Sequence, residues 1–299
     1  MTPGVIDDES VDQVLSGLIT AFHILHQHQV LDEHGQISVR NPREPSTFFT
    51  SIVPAILISS KKDLNQWNVT DGSPVDDPYP DVEKVARVSP MTEIFVHSSM
   101  YNMYPGVQSV LHSHCPTAIV YGLCNSWTSM LQPSYLMAGF LGSSPPIFDT
   151  ARYYDDLPAS HPKNLLITTG YLGDEMAMAL RKSHQREEGT DVLANGSTIL
   201  PEQKAVFMRG HGYTTWAESL VDVVWRAIHI RRDAEIQTAA MAQRDATELE
   251  IVYLTEQEAL DCERTINHAD RSQWQAWVAQ AERSGMYRND EVRSQSSGS

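Results

Sequence analysis

The chain carries twelve histidines, and three of them stand where their rings could share one ion. His112-Ser113-His114 closes Val107–His114, which reads as a strand. Residues i and i+2 of a strand point to one face, so both imidazoles can reach the same cation. His26-Gln27-His28 has the same spacing at the end of a predicted helix, where two residues turn about 200° around the axis and the rings diverge. His211 lies between Gly210 and Gly212, directly after the predicted strand Lys204–Arg209. The flanking glycines permit a tight turn that holds the imidazole in place. Three imidazoles complete the protein ligand set of a catalytic divalent metal with an open position. Glu93 falls in the first turn of a helix predicted to open at Ser89-Pro90, where the helix dipole favours a carboxylate. Beside an open metal position such a group can remove or deliver a proton. His97, one turn later on the same face, is placed to orient Glu93 or contact substrate.

These side chains need elements to hold them, and the pattern supplies an α/β series. Ser10 and Gln13 fit a capping box for a first helix ending near Gln29, followed by the strand Gln36–Arg40 and a strand-rich stretch Thr47–Ser59. Residues 67–82, with three prolines and four aspartates, predict an acidic surface loop. After the helix to Met103 and the histidine strand come a short helix Pro116–Cys124, an irregular stretch Asn125–Pro162, a strand Asn164–Thr169 and a helix Asp174–His184. Thr215 and Glu218 read as a capping box opening a long helix directly after the His211 turn, with Leu220, Val223, Val224, Ala227, Ile228 and Ala234 on its apolar face. A strand-like Ile251–Leu254, a helix capped by Thr255 and Glu258, and an amphipathic Arg271–Met286 docked by Trp274 and Trp277 follow. With no repeat and no linker, the expectation is one domain over 1–245, a helical extension of it over 246–289, and a disordered tail over 290–299.

Composition narrows the partners. A formal charge of −16 excludes a nucleic-acid or anionic-membrane surface, leaving a small-molecule substrate. Cys115, Cys124 and Cys262 form no CxxC pair, the first ten residues carry acids rather than a basic apolar leader, and no apolar run approaches a membrane span. The expected location is cytoplasmic.

Glu93 with His97 four residues on, Tyr101 and Tyr104, then His112-Ser113-His114, then Arg209-Gly210-His211-Gly212 before a long helix, resemble the class II aldolase/adducin family in order and separation. That family includes sugar-phosphate aldolases such as fuculose-phosphate aldolase, ribulose-phosphate epimerases, some aromatic-acid decarboxylases, and adducin. The resemblance runs from about Val11 to Ala240. It implies a three-layer αβα sandwich with a central, mainly antiparallel sheet. It also implies that His112, His114 and His211 bind one divalent ion per subunit, Zn²⁺ foremost, with Fe²⁺, Mn²⁺ or Co²⁺ as alternatives. Glu93 would be the acid/base, aided by Tyr213 or a neighbouring subunit's tyrosine, in a homo-oligomer expected to be a tetramer.

The departures concern phosphate. Where sugar-phosphate members have Gly-Asn, a Thr/Pro-Ser-Gly type turn and two serines before the glutamate, this chain has Gly35-Gln36, Ser59-Ser60-Lys61-Lys62 and Met91-Thr92. Small and hydroxyl groups that cradle phosphate are lost, leaving Arg40, Lys61 or Lys62 to meet a carboxylate and Thr92 to touch substrate. The resulting expectation is a divalent-metal carbon–carbon lyase. It would act by retro-aldol cleavage or decarboxylation on a small non-phosphorylated hydroxy- or oxo-acid, through a metal-stabilised enolate. Two alternatives use the same fold: a non-haem iron oxygenase, and a non-catalytic adducin-like interaction module, which the retention of all three histidines opposes.

Overall fold

Side chains alternating along the histidine strand separate two cores. In the computed structural model, which describes residues 11–76, 93–123, 130–142, 145–181, 200–247, 250–266 and 271–292, this strand is β4, Ser109–Ser113. Its Leu111 joins one apolar cluster and its Val110 the other, so His112 shares the face of Val110. The other strands are β1 Gln36–Arg40, β2 Thr47–Ser51, β3 Leu64–Asn68, β5 Ile147–Phe148, β6 Ala205–Met208 and β7 Gly212–Ala217. They form one sheet in the order β3-β2-β1-β4-β7-β6-β5. Every pairing is antiparallel except β5 with β6.

The Leu111 face is covered by α1 (Val11–Gln27), α3 (Pro116–Leu123), α5 (Leu220–Thr247) and α7 (Arg271–Ser284). The Val110 face is covered by α2 (Ile94–Met103) and α4 (Gly170–Met178). Helices on both faces of a mainly antiparallel sheet make the expected three-layer sandwich, with α6 (Glu256–Ile266) and α7 as its C-terminal helices. The extension is tied down as its caps foretold: Thr255 N–H donates to Glu258 Oε2 (2.8 Å), and Trp277 is buried. Among the described residues no helix is long and apolar enough to cross a membrane.

Four local expectations change. Residues 64–68, partly assigned to an acidic loop, are the edge strand β3, whose Trp67 faces the second core. Asn164–Thr169 is not a strand, because Leu165 adopts a left-handed backbone (φ 67°) that interrupts extension. Ile251–Leu254 is irregular, its Leu254 N–H donating to Pro133 O (3.0 Å). Most consequential, Gly212–Ala217 is the strand β7 and not the start of a helix. It is buried on both faces, so it lacks the apolar–polar alternation that marks a surface strand. Thr215, read as a cap, lies inside it with its hydroxyl donating to Lys204 O.

The cap of α5 is Ser219, whose Oγ accepts the Asp222 N–H (3.1 Å) and donates to Asp222 Oδ2 (2.6 Å). At the other end of the chain, Asp290 N–H donates to Ser59 O (2.9 Å) and Lys61 N–H donates to Glu291 Oε1 (3.0 Å). Residues 290–292 are therefore docked rather than part of a free tail, while 293–299, like Ser89-Pro90, Thr92, Cys124 and His184, lie outside the described residues. Replacing Ser219 with Ala should lower unfolding stability by about 1 kcal/mol. Glu218→Ala, at an exposed position, should shift it by less than about 0.5 kcal/mol. Urea unfolding followed by circular dichroism measures both, and the reverse order would move the helix start back to Thr215.

Candidate metal centre

The centre begins where β4 ends. His112 pairs with Thr214 of β7 in the sheet register, and its Nδ1 lies 3.2 Å from Thr214 Oγ1. The Thr214 hydroxyl donates to Met208 Sδ (3.7 Å). Its oxygen is thus the acceptor for His112 Nδ1–H, which leaves the lone pair on Nε2. Burial, then the neighbouring His114, His211 and His97, push the His112 pKa well below the ordinary imidazole value. The ring is therefore neutral, the form that can coordinate. His114 follows just past the strand, its Nε2 3.0 Å from His112 Nε2.

His114 is aimed from behind by Asp32, in the loop between α1 and β1. Both Asp32 oxygens lie 3.3 Å from His114 Nδ1, and Oδ1 also accepts the N–H groups of His34 (3.0 Å) and Gly35 (2.7 Å). Burial alone would raise the Asp32 pKa, but the hydrogen bonds from His114, Gly35 and His34 outweigh it and hold the carboxyl well below its usual range. A carboxylate on the far nitrogen of a ligating histidine fixes its tautomer and orientation.

His211 enters on the turn between β6 and β7. Gly210 has φ 64°, and a Cβ on Gly212 would lie 2.0 Å from Ser113 O. Only glycine lets this hairpin press against the end of β4. The result is a His211 ring stacked on His114 at 5.1 Å and 16°, and 4.9 Å from His112. Glu93 precedes the first residue of α2, and its two oxygens have separate partners. Oε1 accepts the Ile167 N–H (2.8 Å), whereas Oε2 lies 3.1 Å from His211 Nε2 and 3.8 Å from His112 Nε2.

One ligand atom from each of Glu93, His112, His114 and His211 falls within 4.8 Å of all the others. Three imidazole nitrogens and a carboxylate oxygen are a donor set for a borderline divalent ion such as Zn²⁺ or Fe²⁺. His211 Nδ1 is buried without a partner among the described residues, none of which supports His211 as Asp32 supports His114. The arrangement could hold a metal and keep a proton-carrying carboxylate beside it.

The remaining expected residues lie elsewhere. Tyr213 points to the opposite face of the sheet, into the core with α5. It is fully buried, its hydroxyl donates to Ala227 O (3.1 Å), and burial raises its pKa well above the phenol value. It reaches neither the histidines nor Glu93, because the strand geometry of β7 turns it away from Thr214. Arg40, expected to meet a substrate carboxylate, is instead 7% exposed and donates to the main-chain carbonyls of Val107 (2.9 Å), Pro45 (2.6 Å) and Tyr101 (2.9 Å). That guanidinium staples the end of α2 to the sheet and has no face for a substrate. His97 is fully buried and its Nδ1 shares a 2.8 Å hydrogen bond with Ser38 Oγ, which also meets Tyr101 OH (2.8 Å). Burial lowers its pKa to about 3, making it a neutral strut behind the centre.

Two contributors escaped sequence reasoning. Asp32 could have been found, since Asp32-Glu33-His34-Gly35 before a strand is a side-chain-capped turn of the Asx type. The Ile167 N–H carries no side-chain signal, and its segment read as an ordinary strand.

Residues 16–238 match the family described as Class II Aldolase and Adducin N-terminal domain. Decarboxylase tropJ from Talaromyces stipitatus is 36% identical over 279 residues, covering 91% of this chain and 95% of that protein. Among solved structures, L-fuculose 1-phosphate aldolase from Glaciozyma antarctica has a TM-score of 0.64 at 16% identity and covers 97% of both chains. An aldolase II superfamily protein from Pseudomonas syringae also has a TM-score of 0.64, at 17% identity, covering 95% of this chain and 98% of its own. Identities this low speak to the fold.

Asp32→Asn should weaken Zn²⁺ binding by about 10–100-fold with the fold intact, read by competition against a chromogenic chelator. Unchanged affinity would remove Asp32 from the centre. Arg40→Met should lower stability by about 2–4 kcal/mol, since it strands buried carbonyls, while metal content stays at the wild-type level. Denaturant titration alongside elemental analysis separates these effects, and a stable variant with lost activity would return Arg40 to substrate binding.

Proposed function

Because the chain belongs to the class II aldolase and adducin family and is a lyase-type enzyme, we propose that it is a divalent-metal-dependent decarboxylase of small, non-phosphorylated hydroxy- or oxo-acids. The observation that carries this reading is the convergence of Glu93, His112, His114 and His211 on one point. The decarboxylase name of the 36%-identical relative favours CO₂ over an aldehyde as the departing group.

His112, His114 and His211 would hold the ion, one per subunit and Zn²⁺ in first place. A bound dication supplies a Lewis acid for the negative charge that develops when a carbon–carbon bond breaks. The chain's own part is the proton. Glu93 has one oxygen pinned by Ile167 N–H, so Oε2 alone is free to face the centre, and its carboxyl delivers the proton that the carbon takes up as CO₂ leaves. His97 and Asp32 stay outside this transfer and keep the rings in register.

The turn at Ser59-Ser60 supports an unphosphorylated substrate. Both N–H groups there, at 2.8 and 2.9 Å, donate to Asp63 Oδ2. Lys61 Nζ, 3.3 Å from Asp12 Oδ1, is also committed to a carboxylate. Donors that could cradle phosphate are occupied by an acidic group that would repel it. We assign the working form to a cytoplasmic homo-oligomer, a tetramer, which light scattering can weigh.

Purified protein should contain one divalent ion per chain, and chelation should abolish CO₂ release from a panel of hydroxy- and oxo-acids. Glu93→Gln should keep the ion and lose about 10²–10⁴-fold in kcat. Full turnover by that variant would overturn the role of Glu93. Stoichiometric aldehyde would redirect the reaction to retro-aldol cleavage, and obligatory oxygen uptake to an iron oxygenase.

A further inference from the structure

The Ile167 N–H that holds Glu93 belongs to a segment with an unfavourable backbone of its own. Leu165, two residues earlier, has φ 67°. Residues other than glycine, asparagine and aspartate seldom adopt this left-handed conformation. It persists where the surroundings fix it.

Those surroundings are a short 3₁₀ helix, Thr150–Asp156. Two of its side chains grip Leu165 at both main-chain groups. The Leu165 N–H donates to Tyr154 Oη (2.9 Å), and Thr150 Oγ1 donates to the Leu165 carbonyl (3.3 Å). The Leu166 N–H is taken by Asn164 Oδ1 (3.2 Å), and the Ile167 side chain is buried in the second core. With the two preceding amides occupied, the Ile167 N–H is the one delivered to Glu93 Oε1 (2.8 Å).

The grip is anchored in turn beside His211. The 3₁₀ helix follows directly on β5, which pairs with β6. Its cap, Asp149, accepts the Ala151 N–H (3.0 Å) on the same Oδ1 that lies 2.7 Å from Arg209 Nε. The Arg209 N–H donates back to Phe148 O (2.9 Å). Arg209 and His211 flank Gly210, and a Cβ on Gly210 would lie 3.4 Å from Leu165 Cδ1. One short helix thus takes its place from the turn that carries His211 and passes it to the segment that holds Glu93.

We propose that Tyr154 is a positioning residue of the centre: its hydroxyl holds Leu165 left-handed, which sets the Ile167 N–H and through it the oxygen that Glu93 presents to the three imidazoles. The inference rests on Glu93 as the proton carrier for its effect on turnover, and on the hydrogen bonds alone for its effect on Ile167. Thr150 is buried, whereas Tyr154 is partly exposed, so the tyrosine hydroxyl can be removed without opening a core. In Tyr154→Phe the ring keeps its contact with Lys163 Nζ (5.7 Å) and only the acceptor for Leu165 is lost.

Amide hydrogen exchange, read by NMR on the zinc-loaded protein, follows the Ile167 bond directly, with the Arg209 amide as reference. Tyr154→Phe should speed exchange at Ile167 about three- to tenfold and leave Arg209 at the wild-type rate. Adding Leu165→Asn, which tolerates left-handed backbone, should return Ile167 to within about twofold of wild type. In the same series kcat for CO₂ release should fall about threefold or more in Tyr154→Phe and recover in the double variant, with KM unchanged. Unchanged exchange at Ile167, an equal rise at Arg209, or a loss that Leu165→Asn does not repair overturns the assignment. An unaltered kcat in a protein that does release CO₂ overturns it too and leaves the decarboxylase reading standing. If the wild type releases no CO₂ from any hydroxy- or oxo-acid while the exchange pattern holds, the role of Tyr154 stands and the decarboxylase reading falls.

Discussion

The close passage of the β6–β7 hairpin over the end of β4 is the constraint on which the centre depends. Gly212 sits so near the Ser113 carbonyl that a Cβ has no room, and this contact sets where His211 emerges. Two of the histidines come from the end of one strand and the residue just past it, two positions apart. The third comes from a hairpin about a hundred residues later in sequence, and only backbone-to-backbone contact brings it within reach. Antiparallel pairing of β4 with β7 then aligns Thr214 behind His112, so one register serves both position and protonation state.

Around this contact the molecule divides its polar groups by task. On the Val110 face, Ser38, His97 and Tyr101 form a buried chain of hydrogen bonds under α2, while Arg40 ties the carbonyls at that helix's end. These groups hold the helix whose first turn follows Glu93. Asp32 acts from the opposite direction, through the α1–β1 loop. Burial lowers the His112 pKa while hydrogen bonding lowers that of Asp32, so two unlike causes act on either side of His114.

The histidine strand, the glycine-flanked His211 and Glu93 were legible because period, turn chemistry and residue type all point one way. The helix of Trp274 and Trp277 was legible for the same reason. Less could be read where both faces of an element are buried. Gly212–Ala217 carries no alternation, its threonines imitate a cap, and reading it as a helix start hid the fact that Tyr213 and Thr214 face opposite cores. Arg40 illustrates a different gap: an arginine in a short strand reads as a solvent or ligand contact, and nothing local reveals four main-chain acceptors, three of them in the distant stretch Tyr101–Val107. The Ile167 amide belongs to the backbone and has no letter of its own.

That amide has a consequence for how the protein can diversify. Its hydrogen bond makes the aim of Glu93 a property of the segment after Leu165, whose left-handed turn delivers the N–H. The histidines, by contrast, sit in or directly beside paired strands, so moving them disturbs the sheet. Inheritance can therefore treat the two halves of the centre differently. The histidine half is held by architecture, and the carboxylate half can be retuned by exchanging one loop. A scaffold divided in this way can re-aim its carboxylate while the three imidazoles stay where they are.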